Sequence, residues 1–150
     1  MTTVAYKDGV MAADGMTYIC GGQVRMPGNI RKIKRLQSGG LMGHAGSVST
    51  SRQVEDWVMF GEPKGEPQPK LPDDEGMVVV AYPDRRLRLF DGSSERWIEE
   101  ADFFAMGSGA EAALGAMWAG ASAEEAVRIA SLVDCYTGGE IQVEHLDHVT

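Results

Sequence analysis

Thr2 is the residue of this chain whose position first suggests chemistry. Threonine is small enough for the ordinary processing machinery to remove Met1, which would expose Thr2 as the mature N-terminus. A free N-terminal threonine combines a hydroxyl nucleophile with an α-amine that titrates near neutral pH and can accept the hydroxyl proton. The expected chemistry is attack on an acyl group. Because Met-Thr starts are common, the hypothesis depends on the other residues of the chain.

Lys32 and Asp14 are the candidates to activate such a nucleophile. An ammonium group beside the hydroxyl favours an alkoxide-like transition state and lowers the pKa of a neighbouring amine. A carboxylate that orients the lysine follows the logic of other catalytic triads, in which a third group fixes the second. The competing interpretation of this pair is an ordinary surface salt bridge.

The first hairpin predicts how Asp14 approaches Thr2. Two β-compatible runs lie on either side of Asp8-Gly9, a dipeptide that tolerates the positive φ angles of a tight turn. If these are the two loop residues, the ladder continues until Asp14 faces Thr3. Asp14 would then lie diagonal to Thr2.

The rest of the pattern predicts strands, one helix, strands, two helices and a final strand. The front half is expected to form one sheet, and a second sheet is expected to begin at Met77. This order indicates two β-layers covered by helices. The predicted strands are 17–20, 30–37, 41–45, 77–82, 86–90 and 140–146, and the predicted helices are 47–60, one that begins after 109 and one that begins after 122.

Length and charge narrow the class of protein. The 150 residues, 43% of them hydrophobic, fit a single domain over residues 1–150, with an exposed proline-rich connector at 62–75. The net charge of -8 repels a phosphate backbone, so nucleic-acid binding is not expected. No stretch approaches the roughly 20 apolar residues of a membrane span, and no export signal is evident, so a cytoplasmic protein is expected.

Five blocks occur together in an order that resembles HslV, the bacterial relative of proteasome β-subunits. The resemblance covers nearly the whole chain, and it implies an α+β fold, the four-layer αββα sandwich of the N-terminal nucleophile hydrolases. The blocks are Thr2-Thr3, Ala12-Ala13-Asp14-Gly15, the run from Gly28 to Leu36, Gly43-His44-Ala45-Gly46 and Met106-Gly107-Ser108-Gly109.

The resemblance also implies a role for each matching position. Thr2 would be both nucleophile and base, Lys32 the activating cation and Asp14 its partner. Ser108 would assist proton transfer. The backbone N–H near Gly46 would face the oxyanion, a role that suits glycine because substrate can approach the main chain closely.

A later segment resembles true proteasome β-subunits more than HslV. The run from Asp134 to Gly139 has their pattern of an aspartate, two residues, a serine or threonine and then Gly-Gly. In that pattern the carboxylate and hydroxyl support the N-terminal amine, so Asp134 and Thr137 become candidate catalytic residues. The alternative is an ordinary helix end followed by a Gly-Gly turn.

The histidines give no metal-site signal. His44 is expected to line the substrate cleft, where it can tune specificity. His145 and His148 are three residues apart, and an extended chain points them to opposite faces. We expect neither a metal nor another cofactor.

The resemblance implies a threonine endopeptidase subunit of a self-compartmentalising protease that cleaves unfolded polypeptides. It implies a homo-oligomeric ring or another self-assembly, and it suggests an ATP-dependent unfoldase as a partner. The connector at 62–75 replaces much of a region where this family continues with a second helix, which alters the surfaces for ring packing and ATPase docking. Two alternatives stay open: a small-amide hydrolase with the same nucleophile, and a catalytically silent assembly subunit.

Overall fold

The computed structural model describes residues 2–71 and 75–146. Met1, the connector residues 72–74 and His148 therefore lie outside the described residues. Within the described ranges the chain forms two main sheets, a two-stranded ribbon and three α-helices, so the expected α+β class is confirmed. The described helices include none that is long and apolar enough to cross a bilayer.

The first sheet has four antiparallel strands in the order β10-β1-β2-β11. The central pair β1 and β2 is the hairpin predicted from the sequence, closed by Asp8 and Gly9 with φ angles of 52° and 78°. The amide of Asp14 donates to the carbonyl of Thr3 at 3.2 Å, so the expected facing of these residues is confirmed. The strands are β1 Thr3–Lys7, β2 Val10–Ala13, β10 Phe103–Gly107 and β11 Gln142–His145.

The second sheet has five strands in the order β5-β6-β7-β8-β9. The strands are β5 Ile33–Arg35, β6 Leu41–Gly46, β7 Gly76–Ala81, β8 Leu87–Asp91 and β9 Ser94–Ile98, while β3 Tyr18–Ile19 and β4 Val24–Arg25 form the separate ribbon.

The prediction that a second sheet begins at Met77 is wrong. Strand β7 pairs with β6 across the connector, in the register Gly46↔Gly76 to Leu41↔Ala81, so strands from both halves of the chain share one sheet. The front half is also split, because β1 and β2 belong to the other sheet. Sheet membership follows from which apolar faces meet, and the local pattern of one strand does not encode that choice.

Three α-helices cover the sheets: α1 Val48–Asp56, α2 Ala110–Trp118 and α3 Ala123–Val133. Ser122 caps α3 by accepting from the Glu125 amide at 3.1 Å. Alanines supply most of the buried positions of α2 and α3. Trp118 and Val133 lie on the outer surface, at 80% and 74% exposure, and Trp118 makes a T-shaped contact with Phe103 at 5.0 Å between ring centres.

Alternation along the strands builds three apolar clusters. One face of β1, with Val4 and Tyr6, meets the second sheet, while Ala5 on the other face meets α2 and α3. Helix α1 covers the far face of the second sheet through Val54. A side chain at Gly43 would press on Val4, so the two sheets touch closely there. The hairpin that carries the candidate residues is therefore buried on both faces.

The connector begins with helical turns instead of extended chain. After α1, a π-helical turn at Trp57–Gly61 leads into a 3₁₀ turn at Glu62–Lys64. The guanidinium of Arg88, a residue that is 6% exposed, donates two hydrogen bonds to Glu62 at 2.8 and 2.7 Å and one to Glu95 at 2.9 Å. The rings of Trp57 and Phe90 also face this guanidinium. Arg88 thus fixes the start of the connector to the second sheet.

Replacement of Met11 by alanine tests the contact between the sheets. Met11 is fully buried in the inter-sheet cluster, so Met11→Ala should lower the free energy of unfolding by about 2–4 kcal/mol. Leu132→Ala is the control, because Leu132 is 76% exposed and its loss should change stability by less than about 0.5 kcal/mol. Urea unfolding measures both, and equal effects of the two changes would contradict the assignment of Met11 to the core.

Candidate active site

Lys32 and Asp14 form a buried ion pair beneath the start of β1. The two residues are 1% and 0% exposed, and Lys32 Nζ lies 2.7 Å from Asp14 Oδ1. The ammonium also donates to the Met16 carbonyl at 2.6 Å. The amide of Thr3 donates to Asp14 Oδ1 at 3.0 Å, and that of Gly138 donates to Oδ2 at 3.1 Å. The burial of both charges excludes an ordinary surface salt bridge.

This ion pair changes the acid–base properties of the lysine. Burial lowers the pKa of Lys32, because an ammonium loses hydration in the interior, and the charge and hydrogen bond of Asp14 oppose that shift without cancelling it. Taking two charges out of water is costly, and a buried pair contributes little net stability compared with apolar side chains. A costly pair next to a cleft is characteristic of a functional site.

Thr2 enters the site at the N-terminal end of β1 and is 5% exposed. Its backbone N–H donates to Ser108 Oγ at 3.1 Å. The glycines beside Ser108 permit this approach: a Cβ on Gly107, which has φ of 100°, would collide with the Thr2 carbonyl, and a Cβ on Gly109 would collide with Thr3 Oγ1. Steric contact with Thr2 and Thr3 thus explains why glycines stand on both sides of Ser108.

Asp134 anchors a chain of hydrogen bonds that ends at Thr2. Its carboxylate accepts from Ser108 Oγ at 2.6 Å and from Thr137 Oγ1 at 2.7 Å. Thr3 Oγ1 lies 2.7 Å from Thr137 Oγ1, and because Thr137 directs its proton to Asp134, Thr3 is the donor in this pair. Asp134 is also the residue that ends α3. The two interpretations of this segment are therefore compatible, since a helix end supplies the carboxylate.

The Asp134 carboxylate stays ionised at neutral pH. Burial raises its pKa, but the hydrogen bonds from Ser108 and Thr137, together with the Tyr136 amide at 3.2 Å, outweigh burial and hold the pKa below its ordinary value. The ionised Asp134 accepts a hydrogen bond from the Ser108 hydroxyl, so the Ser108 oxygen can accept one from the Thr2 N–H. The Thr2 N–H therefore donates to Ser108, and Ser108 donates to Asp134.

Thr2 and Lys32 line the same cleft, which has a volume of about 310 Å³. Gly46 lies in its wall at the end of β6, with φ of 80°, and a Cβ there would collide with the Glu75 carbonyl. Glycine is thus required where the strand turns into α1. The cleft is lined by Thr2, Thr17, Tyr18, Ile30, Lys32, His44, Gly46, Ser47, Val48 and Glu75.

His44 lines this cleft, as expected, and lies beside a buried carboxylate. Glu55 of α1 is only 2% exposed, and its Oε1 lies 3.2 Å from His44 Nδ1. Its other oxygen lies 3.3 Å from the ammonium of Lys34. Strands β5 and β6 thus supply two nitrogen groups to the buried side of α1.

A larger concavity of about 490 Å³ lies at the other end of the β1–β2 hairpin. It is lined by both acids and arginines, and Asp84 there accepts from Arg86 Nε at 2.7 Å. This concavity combines surface charges without a candidate nucleophile, whereas the smaller cleft combines a hydroxyl, a buried cation and a glycine turn. Residues 2–71 and 75–146 contain no group of three His, Cys, Asp or Glu side chains that could hold a metal ion.

Sequence reasoning missed the backbone groups that complete the site. The Met16 carbonyl holds Lys32, and the Gly138 amide holds Asp14. Main-chain donors and acceptors exist at nearly every position, so no residue type signals them. Thr3 was also missed, although its hydroxyl joins the Asp134 chain through Thr137.

Asp134→Asn tests the chain of hydrogen bonds through its pH dependence. Because the folded pKa of Asp134 is held below its ordinary value of 3.8, its stabilising effect is fully present above that pH and is lost as pH falls through the folded pKa. The asparagine variant should therefore unfold more easily than wild type at pH 7, and the difference should shrink as the pH falls below 3.8. Urea unfolding at several pH values measures this, and a difference independent of pH would contradict the assignment.

No family model matches this sequence, and no curated protein matches it. Comparison of structures does find relatives. Eukaryotic HslV from Trypanosoma brucei superposes with a TM-score of 0.74 at 20% identity, over 98% of this chain and 99% of that chain. Thiobacillus denitrificans BPH gives a TM-score of 0.63 at 21% identity, over 97% and 98% of the two chains.

A second structure of that bacterial protein, in complex with epoxomicin, gives a TM-score of 0.63 at 22% identity, over 97% and 98% of the two chains. Because the sequence identities are so low, these structural similarities establish the fold alone. They extend over nearly the full length of both partners. This chain therefore has the fold of HslV, as the resemblance predicted.

Proposed function

We propose that this chain is a threonine-type endopeptidase subunit whose nucleophile is Thr2, exposed by the removal of Met1. One observation carries the proposal. Thr2 shares a cleft with the buried cation of Lys32, while its nitrogen is held from the other side by Ser108 and Asp134. An N-terminal threonine peptidase needs both of these, a cation beside the hydroxyl and an oriented amine.

The proposed reaction begins with attack of Thr2 Oγ on a peptide carbonyl carbon. The new O–C bond forms as the Thr2 amine takes the hydroxyl proton, and the carbonyl π electrons move onto oxygen. Collapse of this intermediate breaks the C–N bond, and the leaving amine takes the proton back from the Thr2 ammonium. Water then hydrolyses the acyl ester with the amine as base. Lys32 lowers the pKa of that amine, and Asp134 balances its charge when it is protonated.

Gly46 is the proposed site of oxyanion stabilisation. Its main chain borders the cleft, and no side chain can stand between it and a substrate. It directly precedes Ser47, the N-cap of α1, so the positive end of that helix dipole faces the same place. Both features favour negative charge that develops on a carbonyl oxygen.

The fold suggests the wider setting of this activity. The three apolar clusters support the four-layer αββα arrangement of N-terminal nucleophile hydrolases, in which α1 and the α2–α3 pair form the outer layers. The likeness to HslV supports self-assembly into a closed cytoplasmic particle that admits unfolded polypeptides. An ATP-dependent unfoldase is the proposed partner of such a particle. Arg88 fixes the start of the connector at Glu62, which limits how that surface can adapt to a partner.

Intact-mass measurement with epoxomicin, the compound bound to Thiobacillus denitrificans BPH, tests the proposed nucleophile. The wild-type chain should lack Met1 and gain the mass of one inhibitor, and Thr2→Ala should gain none. Lys32→Met should slow capture on the order of 100-fold or more, because the cation no longer favours the alkoxide. Lys64→Met is the matched control, since Lys64 is exposed and does not line the cleft, and its capture rate should equal that of wild type.

The other outcomes distinguish the alternatives. Labelling retained in Thr2→Ala would contradict the mechanism. A folded wild-type chain that has lost Met1 and is not captured would favour the silent assembly subunit. Turnover of small acyl amides without any hydrolysis of peptides would favour the small-amide hydrolase.

A further inference from the structure

Gln142 binds the backbone of Lys32 from the opposite sheet. Its Oε1 accepts from the amides of Lys32 at 2.9 Å and Ile33 at 3.1 Å. Its Nε2 donates to the Ile33 carbonyl at 2.9 Å. A single side-chain amide therefore makes three hydrogen bonds to consecutive peptide groups and takes the place of a neighbouring strand.

Lys32 lies just outside the ladder of its own sheet. Strand β5 begins at Ile33, and its pairing with β6 runs from Ile33↔Gly43 to Arg35↔Leu41. The strand pairing thus fixes the backbone from residue 33 onward, whereas the Lys32 amide is held by Gln142. Because the ammonium lies at the end of a four-carbon side chain, a small rotation of the Lys32 backbone moves it far from Asp14.

Gln142 is itself fixed against the partner of Lys32. It lies on β11, which pairs with β2, and it faces Ala13, the residue before Asp14. Just upstream of this strand, the Gly138 amide donates to Asp14 Oδ2. The chain from 138 to 142 therefore touches both members of the buried pair, through Gly138 on the carboxylate side and Gln142 on the lysine side.

We propose that Gln142 is a positioning residue, which sets the Lys32 ammonium against Asp14 and Thr2. It is absent from the cleft lining, so it acts through Lys32 and not on the substrate. The effect on turnover rests on the proposed role of Thr2, whereas the effect on the placement of Lys32 does not.

The position of Lys32 has a signature in the pH profile. A cation near the Thr2 amine disfavours the ammonium form and lowers the pKa of that amine. The carboxylates of Asp134, reached through Ser108, and of Asp14, bound to the Thr3 amide, both favour the ammonium form. If Lys32 moves away, these carboxylates are no longer opposed, so the amine pKa rises and the acid limb of the activity profile shifts to higher pH. A residue that only stabilised the fold would lower the amount of active protein without such a shift.

Gln142→Leu is the main variant, because leucine keeps much of the volume and makes none of the three hydrogen bonds. We expect kcat for a peptide substrate to fall about tenfold with KM unchanged, since a small misplacement of a catalytic group is costly. The acid limb should move up by about 0.5 to 1 pH unit. Gln142→Glu keeps both acceptor contacts to the amides and should retain more activity than the leucine variant.

Glu144→Gln is the matched control on the same strand. Glu144 binds Arg31 at 2.9 Å and Arg35 at 3.4 Å and makes no hydrogen bond to Lys32. Its Oε1 also accepts from Gln142 Nε2 at 3.5 Å, a long contact that the oxygen of a glutamine side chain can keep. The control should keep the wild-type kcat and pH profile. A folded Gln142→Leu protein with wild-type values of both would overturn the proposal, as would an equal loss in the Glu144→Gln control. If the leucine variant does not fold, Gln142→Met replaces it, because methionine also makes none of the three hydrogen bonds. A folded Gln142→Met protein with the wild-type kcat, pH profile and Lys32 acetylation would likewise overturn the proposal.

Protection of Lys32 from acetylation separates this proposal from the proposed function. In wild type, Lys32 is 1% exposed and should resist an acetylating reagent, whereas Lys34 is 37% exposed and should react. Gln142→Leu should raise acetylation of Lys32 severalfold and leave Lys34 unchanged, as measured by peptide mass spectrometry. This readout needs no activity. A wild-type chain that epoxomicin does not capture would contradict the role of Thr2, and unchanged Lys32 protection in Gln142→Leu would contradict the role of Gln142.

Discussion

The buried charge of Lys32 is the constraint on which the site depends. An ammonium group with 1% exposure is tolerable only if carboxylate and carbonyl oxygens surround it, and Asp14 and Met16 supply them at 2.7 and 2.6 Å. Asp14 in turn needs donors for its remaining lone pairs, and these are the amides of Thr3 and Gly138. One charge thus fixes the relative positions of the first hairpin, the segment before β5 and the turn after α3.

The two sheets make this arrangement rigid. The hairpin of β1 and β2 is covered on one face by the second sheet and on the other by α2 and α3, so neither strand can shift without loss of apolar contact. Small residues set the spacing. Gly43 brings the sheets together, and Gly107 and Gly109 bring the end of β10 against Thr2 and Thr3. The residues of the candidate site are therefore held in place by packed strands and helices and not by flexible loops.

The hairpin and the facing of Asp14 and Thr3 were predictable, because a two-residue turn and a period of two fix register locally. The capped start of α3 was predictable for the same kind of reason. The division of strands between sheets was not, since β7 finds β6 across the connector. Nor was the burial of Glu55, which depends on the nitrogen groups of another element. Local sequence patterns therefore predict single turns, strands and helix ends, whereas pairing over long sequence separations determines which of these elements contact one another.

The sequence distance between the partners at Thr2 has a consequence for biosynthesis. Thr2 is translated before its partners, since Ser108 lies 106 residues later, and Thr137 lies 134 residues after the Thr3 hydroxyl that it contacts. Contacts over such separations form late in folding, because the intervening chain must first be ordered. A nascent chain on the ribosome therefore carries Thr2 before the groups that hold its backbone nitrogen have been made. The fold itself delays assembly of the site until the segment after α3 has been made.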